Sequence, residues 1–400
     1  MAVQKLSPAT RTLEVKYAIR DIVALANKVA KGGKEMFYLN IGDPNVYDWA
    51  TPPHIIEAIH KAMKDNHNGY APSSGIAPAI DSIRRDADRK GIKNILDIFI
   101  THGASEAIEL CLAALLNEGD NFLMPTPGYP LYTAVQSKLM LQANPYYLDE
   151  ANGWEPDIED IRAKVNDKTK AIVLINPNNP TGCITKKETL EKIIEIALEH
   201  NLLVIADEIY DKILFDDNKL VSLAALNQDV SCITFSGLSK NFVAPGFRLG
   251  WGVASGRQEV MGDYLEGLNK LLRARVSANH PIMYAIPAAL DGDQSHLPAM
   301  TEILMRRRQI AVDACAGIDG IEMVCPEGAF YAFPSIDVKD DTHFCQELLK
   351  ETGVLVVPGS GFGQKPGSHH FRIVILPQDE VIRKAFAHIK DFYSDYRTKM

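Results

Sequence analysis

Long uncharged apolar runs are missing from this 400-residue sequence. A membrane-spanning helix needs roughly 18 or more such residues, and the best candidate, KAIVLINPNNPTG, breaks at its prolines. The opening stretch, MAVQKLSPATRTLEVKYAIR, carries charges where a signal peptide needs an apolar run, so the cytoplasm is the expected location. Cysteine is sparse. The six, at 111, 183, 232, 315, 325 and 345, form no C-x-x-C pair. A chain this long has no need of disulfide staples either, so mostly buried thiols in a reducing compartment are expected, with no metal site. Positive charge is in deficit, with 42 Lys and Arg against 51 Asp and Glu and a net charge of -9. A nucleic-acid binder that neutralises phosphates needs the opposite balance. Small anionic ligands remain open, since a few local cations suffice for them. Internal repeats and low-complexity tracts are also absent.

What is present is an ordinary globular composition, 46% hydrophobic and 23% charged, with 27 Gly and 22 Pro. PHIIEAIHKAMK, starting at Pro53, reads as an amphipathic helix with Ile55, Ile56, Ile59 and Met63 on one side. In NILDIFITHGASEAIELCLAALL, a β-branched run meets Gly103 and a long helix follows at once. The unit recurs in NFLMPTPGYPLYTAVQSKL, in KAIVLINPNNPTG with the helix KETLEKIIEIALEHN, and in NLLVIADEIY, VSCITFSGLSK and GFRLGWGVAS. Alternating strand and helix signals predict an α/β fold, a mostly parallel sheet covered by helices. After Asp291 the pattern shifts to a smaller α+β unit. The expected organisation is a segment 1–48 packing on the small domain, a large domain over 49–290 and a small C-terminal domain over 291–400.

Polar residues cluster where the apolar strands stop: Gly103-Ala104-Ser105, Asn179-Pro180-Thr181-Gly182, Asp207, Tyr210 and Ser236 to Lys240. In open α/β sheets the crevice beyond the carboxyl ends of the strands binds ligands, so five such coincidences point to one site. Lys240 follows a near-apolar strand, and a desolvated lysine can attack an aldehyde. Asp207 is either a helix cap or a buried carboxylate facing a pyridine nitrogen. Tyr210 and Asn179 can donate to a ring oxygen, although NPTG is also simply a good turn. Gly103, Ala104 and Ser105 open a helix whose free N–H groups suit a phosphate, with Ser236, Ser239 and Arg248 able to complete the cradle. Tyr129 either stacks on a flat ring or packs as an ordinary tyrosine. Arg372, flanked by Phe371, Ile373 and Val374, directs its fork at a carboxylate that is structural or belongs to a substrate.

In order and spacing, YLNIGDP, GYAPSSG, THGASEAIE, PGYPLY, INPNNPTG, VIADEIYD, SGLSK, PGFRLGW and FRIVILP resemble the class I/II aminotransferases of the aspartate-aminotransferase fold type. YAIRDIV, GLSK, AGIDG, CPEGAFYAFP and FRIVILP narrow the resemblance to bacterial glutamate–pyruvate (alanine) transaminases. The resemblance implies a seven-stranded sheet, a homodimer and pyridoxal 5'-phosphate as cofactor. Lys240 would hold the cofactor and shuttle the proton at the substrate α-carbon, Asp207 would pair with the pyridine nitrogen, and Tyr210 and Asn179 would contact the 3-oxygen. Tyr129 would stack on the ring. Ala104, Ser105, Ser239 and Arg248 would surround the phosphate, with Tyr70 arriving from the other subunit. Gly42 and Arg372, helped by Asn179, would receive the α-carboxylate, and Tyr17 and Arg20 would join Gly42 around the substrate side chain. The implied reaction is ping-pong transfer from alanine to 2-oxoglutarate. Rival readings are a transaminase for aromatic or branched-chain donors, a C–S β-lyase using the same cofactor, and a non-enzymatic scaffold. One departure is Gly237, where many members carry a phosphate-binding Ser or Thr. A second, side-chain-reading arginine is not identifiable either: Arg273 and Arg275 fall in a helical stretch and are expected to face solvent.

Overall fold

The computed structural model describes residues 6–13, 15 and 18–398, with side chains from residue 22 onward in the helix that begins at Ala18. The main sheet comprises β1 (Ile95–Thr101), β2 (Asn121–Thr126), β3 (Gln142–Asp149), β4 (Glu155–Pro156), β5 (Thr169–Ile175), β6 (Leu203–Asp207), β7 (Cys232–Gly237) and β8 (Gly250–Ser255). Their order is β1-β8-β7-β6-β5-β2-β3-β4. β8 runs antiparallel to both its neighbours and β4 antiparallel to β3; the remaining pairs are parallel. The sheet thus has eight strands where seven were expected. The extra one, β4, is a two-residue edge piece that no apolar run announces.

The apolar runs are continuous because both faces of the sheet are covered. Along β5, Ile172 and Leu174 enter one core while Ala171, Val173 and Ile175 enter the other. β6 alternates likewise, Val204 and Ala206 against Leu203 and Ile205. Helices Pro53–Lys64, Ala77–Arg89 and Lys187–Glu199 seal the first face, and Ala104–Leu115, Pro130–Lys138 and Gln258–Ala274 the second. In Gln258–Ala274, Met261, Leu265, Leu268 and Leu272 recur at helical spacing and are buried; each stabilises by about 1.5–3 kcal/mol. Helix Pro53–Lys64 buries Ile55, Ile59 and Ala62, whereas Ile56 and Met63, expected on the same side, are 50% and 45% exposed.

A third core gathers Ile22, Ala26, Phe37 and Leu39 with Met300, Leu304, Phe344, Leu348, Phe371 and Phe386. Strand Phe37–Tyr38 pairs parallel with Val354–Leu355, so the N-terminal segment is built into the same core as the last hundred residues. A three-stranded sheet places Phe371–Val374 between Tyr331–Ala332 and Val357–Pro358. Among the contacts that join this unit to the large one, two stand out by their burial. Gly182, at φ 73°, lies so close to Pro326, Gly328 and Tyr331 that a Cβ would fall 2.7 Å from the Pro326 side chain and the Tyr331 carbonyl. Nearby, the buried His370 of the small unit reaches Glu150, with Nε2 3.1 Å from Oε2. No helix among the described residues is long and apolar enough to cross a membrane.

Candidate active site

Strands β1, β2, β5, β6 and β7 all point the same way, so their carboxyl ends share one edge of the sheet. The antiparallel β8 brings its first residue, Gly250, to that edge. At β1, helix Ala104–Leu115 begins directly after Gly103, whose φ of 76° suits glycine. Arg248 lies against this turn: Nη2 donates to Ser105 Oγ at 3.0 Å and to the His102 carbonyl at 3.3 Å. A Cβ at Gly103 would come within 2.5 Å of Arg248 Nη2, and one at Gly250 within 2.4 Å of the Ala104 nitrogen. The missing side chains therefore leave a cradle of helix N–H groups, one hydroxyl and one guanidinium, which is what a phosphate group requires. Arg248 itself adopts φ 52° and Val243 the same; left-handed backbone at bulky side chains costs of order 1–3 kcal/mol and concentrates at functional sites.

Asp207 closes β6, 3% exposed. Tyr132 Oη donates to its Oδ2 at 3.2 Å and the Ile209 N–H to Oδ1 at 3.4 Å. Burial raises its pKa to about 6, although those two bonds and the charge of Lys240 pull it down. Lys240 stands past the adjacent β7 and donates through Nζ to the Gly42 carbonyl at 2.6 Å, with the rings of Phe330 and Tyr210 at 5.5 and 5.9 Å. Tyr210 Oη lies 2.9 Å from Tyr331 Oη, and burial raises the Tyr210 pKa well above the usual phenol value.

Arg372 is 1% exposed. Its guanidinium lies 4.7 Å from the ring centres of both Tyr331 and Phe362. Nη1 donates to Asn179 Oδ1 at 3.2 Å, and Nη2 to the Asn40 carbonyl. Gly42 is required here because a Cβ would sit 2.1 Å from the Tyr331 hydroxyl.

The edge thus brings together Gly42, Gly103, Ala104, Ser105, Asn179, Asp207, Tyr210, Lys240, Arg248 and Arg372. Tyr129 caps helix Pro130–Lys138 three residues before Tyr132. With Tyr132, Ile175 and Phe362 it lines a cavity of about 810 Å³ that Ile22 and Leu25 border from the N-terminal helix. Ser236 is buried in β7 opposite Trp251, and Ser239 lies in the following loop. Among the described residues no hydrogen bond joins either serine to Arg248 or Ser105. Tyr70 is 88% exposed, on a loop held by His280 Nδ1 donating to the Gly69 carbonyl at 2.9 Å. Tyr17 and the side chain of Arg20 lie outside the described residues.

At Gly237 a Cβ would meet the Leu249 carbonyl at 2.8 Å and Gly250 Cα at 3.0 Å, so close strand packing leaves no room for a side chain there. One expectation at the site needs correction. Arg275 does not face solvent. It caps helix Gln258–Ala274 and turns inward, donating to the carbonyls of Ile100 at 2.5 Å and Ser73 at 3.2 Å and pairing with Glu106 at 3.4 Å. Three contributors went unrecognised in the sequence. Tyr132 follows Tyr129 by less than one helical turn, a spacing that signals a shared face. Tyr331 sits in a short strand of the small unit, and Asn40 holds Arg372 through its carbonyl; these meet the site only through tertiary docking. The Asn40 side chain is fully buried, and neither of its polar atoms has a hydrogen-bond partner among the described residues.

Known proteins of similar sequence and fold point to one family. The family model for aminotransferase class I and II matches residues 34–389. The glutamate–pyruvate aminotransferase AlaA of Haemophilus influenzae is 41% identical, over 98% of this chain and all of its own length. That of Escherichia coli K12 is 39% identical over 98% of each. The solved alanine aminotransferase from Pyrococcus furiosus superimposes with a TM-score of 0.94 at 38% identity, covering 97% of this chain and 100% of the other.

Proposed function

Since this chain belongs to the class I and II aminotransferases, we propose that it is a pyridoxal-phosphate-dependent transaminase converting L-alanine and 2-oxoglutarate to pyruvate and L-glutamate. The observation that carries the reading is the convergence of Lys240, the buried Asp207 and the Ser105–Arg248 cradle on one sheet edge. When bound, the cofactor supplies an aldehyde for amine exchange and a protonated ring that takes up the electrons released with the substrate α-proton.

The chain's own residues do the rest. The Ala104 N–H, Ser105 and Arg248 would hold the phosphate. Tyr132, which donates to the Asp207 carboxylate, would fix it for pairing with the ring nitrogen; Tyr210 and the Asn179 amide would contact the ring's 3-oxygen, and Tyr129 would pack beside the ring. Arg372 and Asn179 would grip the substrate carboxylate, and the Lys240 amine would serve as the general base that takes up the substrate α-proton and gives it back. Alanine is favoured as donor by the close similarity to alanine and glutamate–pyruvate aminotransferases. The engagement of Arg275 by two carbonyls and Glu106 further argues against a site dedicated to aspartate.

The test is direct. Purified protein reconstituted with pyridoxal phosphate is expected to turn yellow and to form glutamate from alanine and 2-oxoglutarate. Ammonia release without glutamate would replace this reading by elimination. The 810 Å³ cavity beside Tyr129 exceeds what a methyl group needs, so the donor panel includes aromatic and branched amino acids; a preferred aromatic donor would overturn the alanine assignment. For Arg372→Leu, kcat/KM for the amino donor is expected to fall by roughly 100- to 1,000-fold, the scale of a lost buried charge pair. Cofactor absorbance should be retained, and unchanged kinetics would make Arg372 purely structural.

The working unit is proposed to be a homodimer. Ile56, Met63, Tyr70 and Val276 are 50%, 45%, 88% and 51% exposed on neighbouring segments, an apolar patch suited to a second copy. Tyr70 would then reach the phosphate of the partner's site. Mixing Tyr70→Ala with Lys240→Ala subunits gives the check: action across the interface leaves one intact site per hybrid and restores activity, whereas action within one subunit restores none.

A further inference from the structure

Behind the site, on the face covered by helix Ala77–Arg89, lies a cluster of charges to which the chemistry above assigns no task. Lys90 caps that helix and its side chain is 18% exposed. Its Nζ contacts the Asp211 carboxylate and lies 3.6 Å from Asp86 and 3.9 Å from Glu208. Glu208, 2% exposed, accepts from Ser222 Oγ at 2.7 Å. Asp211 accepts from Asn241 Nδ2 at 2.6 Å. On its other side Asn241 is pinned by His296, whose Nε2 donates to the Asn241 carbonyl at 2.8 Å.

The sequence positions give this cluster its meaning. Glu208 is the residue after Asp207, Asp211 the residue after Tyr210, and Asn241 the residue after Lys240. One ammonium therefore reaches the residues that follow Asp207 and Tyr210 directly, and the residue that follows Lys240 through Asp211. Buried ionic groups are weak stabilisers, since desolvation offsets most of the attraction. Burial alone would weaken the Lys90 ammonium, yet Asp211, Glu208 and Asp86 hold it protonated. Glu208 shows the strain of the arrangement: burial pushes its pKa up to about 7 although Lys90 and Ser222 pull it down. A fold seeking only stability would do as well with apolar residues here. A site in which an amine and a carboxylate on two adjacent strands must meet one flat ring within a few tenths of an ångström gains from a shared anchor.

We infer that Lys90 is a positioning residue of the transamination site, holding the Asp207, Tyr210 and Lys240 segments in one frame through its contacts to Glu208 and to Asp211, and through Asp211 to Asn241. The inference rests on the transaminase reading and specifies how that site is kept in register.

The experiment compares wild type, Lys90→Met, Lys90→Arg and Asn241→Ala, each loaded with pyridoxal phosphate. The pH midpoint of the cofactor's visible absorbance change is recorded alongside kcat and KM for alanine, and melting temperature is followed on the cofactor-free protein. For Lys90→Met, kcat is expected to fall roughly tenfold while KM changes less than about twofold, because the carboxylate grip of Arg372 is untouched. The absorbance midpoint should rise by about half a pH unit or more, since Asp211 and Glu208 behind the site lose their cation. Lys90→Arg should restore most of both. Asn241→Ala keeps every charge and severs only the tie to Lys240, so it decides the question if Lys90→Met fails to fold; a several-fold loss in kcat at constant KM is expected. Variants that bind the cofactor with the wild-type midpoint and kcat, whatever their melting temperature, overturn the inference and leave the cluster structural. Wild-type protein that never develops the cofactor absorbance fails the transaminase reading instead, a separate outcome.

Discussion

Lys240→Ala protein is expected to bind pyridoxal phosphate and yet be essentially inactive, with kcat down by roughly 10³-fold or more, because the substitution removes both the nucleophile and the general base. The two halves of the expectation have separate physical origins. Binding without the lysine relies on the phosphate cradle, where Arg248 and Ser105 meet 3.0 Å apart at the start of helix Ala104–Leu115, and on the Asp207 carboxylate. Neither depends on a hydrogen bond from Lys240, whose Nζ donates to the Gly42 carbonyl instead. Loss of turnover follows because, among the described residues, no other amine stands over that carbonyl between the rings of Phe330 and Tyr210. Dialysis separates the cases: retained cofactor with absent glutamate formation bears the assignment out. Near-normal turnover would remove Lys240 from the chemistry, and loss of cofactor on gel filtration would make the covalent link the main source of affinity. Added methylamine offers a finer check, since a small amine entering the vacated space should recover part of the proton transfer.

Asp207→Asn is expected to move activity and stability in opposite directions. Burial pushes the Asp207 pKa up from 3.8 to about 6, against the pull of Tyr132, Ile209 and Lys240. With its folded pKa above the unfolded value, the native cofactor-free protein binds this proton more tightly than the unfolded chain does. Stability from this group is therefore present below about pH 4 and is lost as pH rises toward about pH 6. At neutral pH the cofactor-free protein carries a penalty on the order of 3 kcal/mol. Asparagine has no such penalty but offers one acceptor where the carboxylate offers two, so a net gain of about 1–2 kcal/mol at pH 7 is expected. The gain should fade toward pH 4, which thermal denaturation at several pH values measures. In the loaded enzyme the loss of a fixed negative charge opposite the ring nitrogen should lower kcat by roughly 10²–10³-fold. A variant less stable at pH 7 than wild type, or equally active, would contradict this account of the buried carboxylate. The opposition is expected of a functional site, where a group retained for chemistry destabilises the fold that holds it.

Much of the site was legible because its residues are local to strand ends. Apolar runs that stop abruptly at Gly103, Asn179, Asp207 and Lys240 mark where a buried strand emerges, and period-2 burial on both faces of the sheet explains why those runs carry no polar interruptions. The turn glycine before a helix is likewise a local signature, since φ 76° at Gly103 and the approach of Arg248 both demand it. The expectation for Arg275 failed for an equally physical reason. A helix-end arginine looks solvent-facing until the chain around Ser73 and Ile100 folds over it. Strand β3 carries little apolar periodicity of its own, because it lies near the sheet edge and is half exposed.

The alternation of strand and helix, the mostly parallel sheet and the chemistry-bearing residues at its edge were determined by sequence alone, because hydrophobic period and turn chemistry act over a few residues. The meeting of Tyr331 with Tyr210, of Asn40 with Arg372, and of Lys90 with the residues flanking the site was decided by tertiary structure. Those contacts join residues more than a hundred positions apart, and they exist only once the N-terminal segment and the small unit have docked on the sheet and helix Ala77–Arg89 has packed against it. Buried area and close packing govern those steps, and no local pattern encodes them.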